Sequence, residues 1–88
     1  MDKEQLILDN MKLVYSVYND NFKNTLFYID KEDLISEGML GLVKAANSFN
    51  PDKQKFSTYA YVCIKNHMIN YCNREFKHKN VLSFEEYI

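Results

Sequence analysis

The sequence predicts an all-α fold, a compact bundle of three main helices, from two observations. Apolar residues recur at three- and four-residue steps through three segments, which is the spacing of one helix face. Short polar clusters and the single proline separate these segments. The 88 residues contain 47% hydrophobic and 26% charged side chains, which is globular composition. We therefore expect a single small domain over residues 1–88.

The first predicted helix spans about residues 4–18. Its apolar stripe consists of Leu6, Ile7, Met11, Val14 and Tyr18, widened by Leu8, Tyr15 and Val17. The polar run at residues 19–21 favours a helix end, because short polar side chains compete for backbone hydrogen bonds. Residues 19–30 are therefore expected to form a connector.

A second helix is predicted over about residues 31–49, with Asp30 as its N-cap and Asp33 near its positive end. Its apolar residues are Leu34, Ile35, Leu42, Val43, Ala46 and Phe49. Gly38 and Gly41 lie inside this helix, where each glycine costs up to about 1 kcal/mol against alanine. Either they allow another helix to approach closely or they are tolerated defects.

A turn over residues 50–56 must follow, because Pro51 disfavours helical backbone at its predecessor. Ser57 or Thr58 is the predicted cap of a third helix over about residues 57–76. This helix places Tyr61, Ile64, Met68 and Tyr71 on one side. The tail, residues 77–88, is too apolar for a purely solvated segment and is compatible with the start of another element.

Charge is distributed unevenly along the chain. Residues 1–50 carry five lysines and eight acids, for a charge of −3, whereas residues 51–88 carry +2. Within residues 53–79 the only acid is Glu75, and this segment alone carries +5. Phosphate binding depends on such a local cationic surface rather than on the net charge of −1. The same pattern is also compatible with a solvated helix face.

Aromatic residues are interleaved with these cations over residues 49–71. Every base has a π-face and every nucleotide an anion, so rings beside lysines are suited to unstacked nucleic acid. The segment therefore predicts binding of single-stranded or melted nucleic acid. The alternative is that Phe56, Tyr59 and Tyr61 are ordinary core aromatics at helical spacing.

The cysteines and histidines indicate no cofactor. Cys63 and Cys72 are nine residues apart on one predicted helix and cannot be joined, and no signal peptide precedes them, which favours the reducing cytoplasm. Zinc coordination by these thiols with His67 and His78 is disfavoured, because the paired CxxC spacing is missing. No metal site is expected. The sequence also lacks a phosphate loop and a nucleophile–base signature, so it does not predict an enzyme.

Residues 33–49 read DLISEGMLGLVKAANSF, which fits the pattern DLIxEGxxGLxxAxxxF, and FSTYA follows at residues 56–60. These two motifs resemble region 2 of the sigma-70 family of bacterial RNA polymerase sigma factors. Two motifs in the right order and spacing are far more specific than one. Primary sigma factors carry a tryptophan pair where this chain has Val62 and Cys63, so the closer resemblance is to alternative, specialised sigma factors.

The resemblance implies a bacterial transcription-initiation domain at the nucleoid. It would bind the clamp helices of the largest RNA polymerase subunit, recognise and melt the promoter −10 element through the non-template strand, and offer a surface to an anti-sigma factor. The implied polymerase-binding residues are Asp33, Ser36, Glu37 and Met39, with Glu37 pairing a clamp arginine. The alternative is a truncated sigma-like interaction module that binds polymerase or an anti-sigma factor without opening the promoter.

The resemblance also implies a DNA-binding surface on the turn and the third helix. Its residues are Phe49, Asn50, Lys53, Lys55, Thr58, Tyr59, Val62, Lys65, Asn66, Ile69 and Arg74. Tyr59 would supply the stacking plane for a flipped base and Lys55 the charge for its phosphate. Asn66 is suited to an amide contact with a base edge.

Overall fold

The computed structural model describes residues 2–23 and 29–78, and its elements are all helical over those ranges. In order they are α1 (Lys3–Asp9), α2 (Met11–Asn21), α3 (Lys31–Ser48) and α4 (Phe56–His78). The main packing pair is α3 with α4, and α1 and α2 complete the bundle. The all-α prediction is confirmed. Most of the predicted tail and part of the connector lie outside the described residues.

The N-terminal segment forms two helices, so the prediction of one helix over residues 4–18 is wrong. The break is at Asn10, whose side-chain amide donates to the Leu6 carbonyl oxygen at 2.8 Å. The Asn10 backbone N–H donates to the Ile7 carbonyl oxygen at 3.1 Å, which tightens the last turn. An asparagine that occupies these carbonyls competes with helix propagation. Three residues of the predicted stripe are exposed: Leu8, Met11 and Tyr15.

Helix α2 continues through the polar run at residues 19–21, three residues beyond the boundary that we expected. The Asn21 side-chain amide lies 3.0 Å from both the Val17 carbonyl oxygen and the Tyr61 hydroxyl oxygen. The Tyr61 hydroxyl in turn donates to Asp20 Oδ2 at 3.0 Å. Because these bonds reach α4, the polar run ties α2 into the bundle.

Helix α3 begins at the predicted aspartate cap. Asp30 Oδ1 accepts from the backbone N–H groups of Glu32 and Asp33 at 2.7 and 3.4 Å. Two of the N–H groups that a helix start leaves unpaired are thereby satisfied. The buried positions of this helix are Leu34, Ile35, Gly38, Gly41, Leu42, Ala45 and Ala46. Val43, which the periodicity placed on the core face, is 38% exposed.

Helix α4 contributes a buried stripe with a constant four-residue step. Its members are Phe56, Ala60, Ile64, Met68, Cys72 and Phe76. Each four-residue step advances about 40° beyond a full turn, so the stripe winds around α4 as it crosses the bundle. Tyr61 and Tyr71, predicted on the same side of the helix as Ile64 and Met68, are half-buried beside it. Within the described ranges, no helix has the length and apolar character needed to cross a lipid bilayer.

Two glycines bring α3 and α4 into close contact. A Cβ atom at Gly41 would lie 3.0 Å from Ile64 Cα and 3.1 Å from the Cys63 carbonyl oxygen, both backbone atoms of α4. A Cβ atom at Gly38 would overlap the end of the Met68 side chain. The close-approach interpretation of these glycines is therefore confirmed.

We predict that Gly41→Ala lowers the free energy of unfolding by about 1–2 kcal/mol. Overpacking costs about 1–3 kcal/mol, and the better helix propensity of alanine returns up to about 1 kcal/mol. Urea denaturation followed by far-UV circular dichroism measures the change. Asn47→Ala, at an exposed position of the same helix, is the control and should be neutral or slightly stabilising. A Gly41→Ala protein as stable as the unsubstituted chain would contradict the packing argument.

Candidate nucleic-acid interface

The predicted turn between α3 and α4 is confirmed, and its own hydrogen bonds shape it. Asn50 Oδ1 accepts from the Asp52 backbone N–H at 2.9 Å, and the Asn50 carbonyl oxygen accepts from the Lys53 N–H at 3.1 Å. Such side-chain-to-backbone bonds are the usual reason for asparagine in turns. Asn50, which was predicted to contact DNA, therefore organises the turn in this structure. The side chain of Lys53 is exposed on the same turn.

Helix α4 begins at Phe56, so the prediction of Ser57 or Thr58 as its cap is wrong. The first helical hydrogen bond of α4 is accepted by the Lys55 carbonyl oxygen at 3.2 Å. The cause is packing: the Phe56 side chain is 8% exposed and meets the Phe49 ring edge-on, with centroids 5.1 Å apart. Burying that ring draws the helix start forward and leaves Lys55 exposed at its N-terminus.

An aromatic cluster forms where α3 meets α4, consisting of Phe49, Phe56 and Tyr59. The Phe49 and Tyr59 ring centroids are 6.2 Å apart at an interplanar angle of 32°. Phe56 is buried, as the core interpretation expected, whereas Phe49 and Tyr59 are half-buried. The Tyr59 hydroxyl oxygen lies 2.7 Å from Ser48 Oγ. The cluster is thus anchored by one ring and reaches the surface through two.

A depression of about 470 Å³ adjoins the aromatic cluster. Its lining residues are Lys3, Leu6, Ala46, Phe49, Pro51, Lys55 and Phe56. Aromatic walls beside two lysines suit a ligand with a flat ring and an anionic group. Lys3 and Leu6 were not predicted at this site, because only the fold brings α1 to this junction.

The outward face of α4 gathers four of the predicted DNA-binding residues. Thr58, Val62, Lys65 and Ile69 are spaced by four, three and four residues, which places them on one stripe of the helix. Val62 is 53% exposed, and Asn66 is exposed beside the stripe. The stripe starts next to the turn, so the turn and this part of α4 form one surface.

Arg74 lies apart from that surface. It is about 22 Å along the helix axis from Tyr59, at about 1.5 Å per residue. Its Nη2 atom is 3.1 Å from Glu37 Oε1 on α3, and its guanidinium lies over the Tyr71 ring at 5.7 Å. The structure thus pairs a predicted DNA-binding residue with a predicted polymerase-binding one. No local signal marked this pair, because the two residues are 37 positions apart.

The predicted polymerase-binding residues lie together on α3. Asp33 and Ser36 are exposed, whereas Glu37 and Met39 are half-buried. One shallow depression there is lined by Asp33, Ser36, Glu37, Leu40 and Tyr71, and a second by Tyr15, Lys31, Glu32, Ile35, Ser36 and Met39. Leu40, which is 54% exposed, lines the first of these depressions and was not among the predicted residues.

His67 on α4 faces the same glutamate. Its Nδ1 atom is 3.2 Å from the Glu37 carbonyl oxygen and 3.8 Å from Glu37 Oε2. Burial lowers the pKa of His67; the Glu37 carboxylate opposes this shift, and the positive charges of Lys44 and Arg74 add to it. The neutral ring is therefore favoured, with Nδ1–H donating to the Glu37 carbonyl oxygen.

The two cysteines are unpaired, and their environments differ. Cys72 is completely buried, and burial raises the pKa of its thiol to about 12, so it is not a reactive thiolate. Cys63 is half-buried where α4 meets Gly41. Within residues 2–23 and 29–78, no three His, Cys, Asp or Glu side chains converge as metal ligands.

We predict that His67 makes the chain less stable in mild acid. Because its folded-state pKa lies below the ordinary 6.5, the unfolded state binds more protons as the pH falls. This contribution to stability is complete above about pH 6.5 and is lost as the pH falls through the depressed value. His67→Asn keeps an N–H donor but cannot titrate, so its unfolding free energy should fall less between neutral pH and about pH 5. Equal pH dependence in the two proteins, measured by urea denaturation, would contradict this assignment.

Comparison with known proteins identifies the family. The family model described as Sigma-70 region 2 matches residues 6–77. RNA polymerase sigma-E factor of Clostridium acetobutylicum is 43% identical over 82 residues, which is 92% of this chain and 34% of that protein. RNA polymerase sigma factor SigA of Mycoplasma genitalium is 45% identical over 62 residues, which is 69% of this chain and 12% of that protein.

SigA of Microcystis aeruginosa is similar to this chain in the same way, with 42% identity over 59 residues, or 66% of the chain and 14% of that protein. The chain thus spans 34% of the length of the sigma-E factor and 12–14% of these SigA proteins. Since the family model covers most of the 88 residues, this chain belongs to the sigma-70 region 2 family.

Proposed function

We propose that this chain is a sigma factor domain that acts in transcription initiation. In this proposal α3 binds core RNA polymerase, while the turn and α4 bind single-stranded DNA of the promoter −10 element. Relatives named RNA polymerase sigma factors support the general role. The observation that carries the DNA-binding part is the packing of the Phe49 and Tyr59 rings, 6.2 Å apart, at the α3–α4 junction, where Phe49 also lines a depression with Lys55.

The DNA-binding part follows from the energetics of an extruded base. Removing a base from a duplex costs a few kcal/mol, and stacking it on an aromatic side chain returns about 1–3 kcal/mol. The half-buried Tyr59 offers such a ring, and the Phe49 ring packs near it at 6.2 Å. Exposed Lys53 and Lys55 on the turn, with Lys3 across the depression, provide charge for the flanking phosphates.

The polymerase-binding part follows from the composition of the α3 surface. Asp33, Ser36 and Glu37 surround exposed Leu40, with Val43 one turn further along. A small apolar centre with a polar rim is the usual composition of a protein interface. A partner's arginine could take the Glu37 carboxylate through two parallel hydrogen bonds, which would fix orientation as well as affinity.

The second candidate is an interaction module that binds polymerase or an anti-sigma factor without opening DNA. It is favoured by Val62, 53% exposed, and half-buried Cys63, which occupy the positions of the tryptophan pair in primary sigma factors. Without that pair, an aromatic wedge between the strands is missing. This candidate predicts binding through α3 and no base-selective binding of single-stranded DNA.

We expect Tyr59→Ala to weaken binding of single-stranded DNA by about tenfold, since stacking is worth about 1–3 kcal/mol per base. The probe is a labelled oligonucleotide selected from a random single-stranded pool by the chain with the polymerase clamp helices, and anisotropy reports the affinity. Tyr59→Phe, which keeps the ring but loses the hydroxyl, should weaken binding by no more than about threefold.

Lys55→Ala should weaken binding a few-fold and reduce the slope of affinity against salt by about 1, as loss of one phosphate contact requires. The matched control is Lys12→Ala on α2, which should bind like the unsubstituted chain. Equal affinity for the selected probe and for one with an abasic residue at each position in turn would reject base capture.

We expect Glu37→Gln to weaken binding to core RNA polymerase by about tenfold. A hydrogen bond to a charged group contributes about 1.5–3 kcal/mol, and the Glu37 carboxylate already makes one such bond to Arg74, which reduces the net gain on binding. Biolayer interferometry with the full chain measures the change. Glu4→Gln, an exposed acid on α1, is the matched control. If both Glu37→Gln and Leu40→Ala bound polymerase like the unsubstituted chain, α3 would not be the polymerase surface.

A further inference from the structure

We propose that Ser48 is a positioning residue for Tyr59, holding the tyrosine ring in the orientation that receives an unstacked base. Ser48 is the last residue of α3 and Tyr59 lies in the first turn of α4. The inference rests on the proposed DNA-binding function. It adds a residue that is outside the predicted interface and acts only through its neighbour.

The geometry is a chain of two short hydrogen bonds. Ser48 Oγ lies 2.7 Å from the Tyr59 hydroxyl oxygen and 2.9 Å from the Lys44 carbonyl oxygen. A carbonyl oxygen only accepts, and the serine hydroxyl has one hydrogen to give. For both contacts to be hydrogen bonds, Ser48 donates to Lys44 and accepts from Tyr59. The Tyr59 O–H direction is therefore set by the α3 backbone.

Two contacts then define the position of the Tyr59 side chain. Phe49 packs near the ring at 6.2 Å with a 32° tilt, and Ser48 holds the hydroxyl at the far end. A tyrosine has only two side-chain torsions, so fixing its tip and one neighbour of its ring leaves little freedom. Both contacts come from the end of α3, although Tyr59 belongs to α4. A ring that is oriented before binding loses less conformational freedom when a base stacks on it.

The test compares Ser48→Ala with Ser16→Ala in the single-stranded DNA assay described above. Ser16 donates to the carbonyl oxygen of Lys12, four residues earlier on α2, and so makes the same bond to its own helix. Ser48→Ala should weaken DNA binding by about threefold, the equivalent of one net hydrogen bond, and Ser16→Ala should not. Ser48→Thr, which keeps the hydroxyl and its bond to the preceding turn, should restore the affinity.

Three further measurements separate positioning from a general structural role. Ser48→Ala should bind core polymerase as tightly as the unsubstituted chain. With a probe that is abasic at the stacked position, Ser48→Ala and the unsubstituted chain should bind equally. The double variant Ser48→Ala with Tyr59→Phe should bind no more weakly than Tyr59→Phe alone. Each change removes the same Ser48–Tyr59 hydrogen bond, so adding Ser48→Ala to Tyr59→Phe removes nothing further.

The outcomes also separate this inference from the proposed function. If the unsubstituted chain binds the base-containing and abasic probes equally, the proposed base capture fails and this inference fails with it. If base discrimination depends on Tyr59 but Ser48→Ala binds like the unsubstituted chain, only the positioning role is overturned. A loss in Ser48→Ala that threonine does not restore, or that persists with the abasic probe, also overturns it.

Discussion

The close contact between α3 and α4 at Gly41 determines where everything else of interest in this chain can lie. A Cβ atom there would be 3.0 Å from Ile64 Cα, so neither helix can move outward to admit a side chain without losing the packing of the Ile64 region. With the two axes held together, the last turn of α3 meets the first turn of α4. The Ser48–Tyr59 and Phe49–Tyr59 contacts both depend on that meeting.

Two asparagines at helix ends show which helix boundaries could be predicted from the sequence and which could not. Asn10 and Asn21 both donate to the carbonyl oxygen four residues earlier, and both stand at a helix end. The second end was predicted three residues early, from the three polar residues that stand together at 19–21. The first was missed because Asn10 is a single polar residue inside an apolar stripe, and periodicity alone cannot show whether its amide turns back onto the helix.

The candidate site likewise has features that the sequence could predict and features that it could not. Asp30 and Pro51 act through neighbouring backbone, so cap and turn could be predicted from local chemistry. The start of α4 could not, because burial of Phe56 against Phe49 outweighed the capping preference of Ser57 and Thr58. Placements that bring distant parts of the chain together, such as Lys3 and Lys55 lining one depression, require the fold itself.

The pair between Glu37 and Arg74 connects the two proposed surfaces. Its arginine side chain is 67% exposed, so solvent screens the pair and it stabilises the fold little, and a partner's cation can replace it. A polymerase arginine that took Glu37 would release Arg74 as an additional cation on α4, and by linkage DNA held there would favour polymerase binding equally. Because screening limits such an effect to about 10 Å, the coupling arises only if the strand follows α4 well beyond Tyr59.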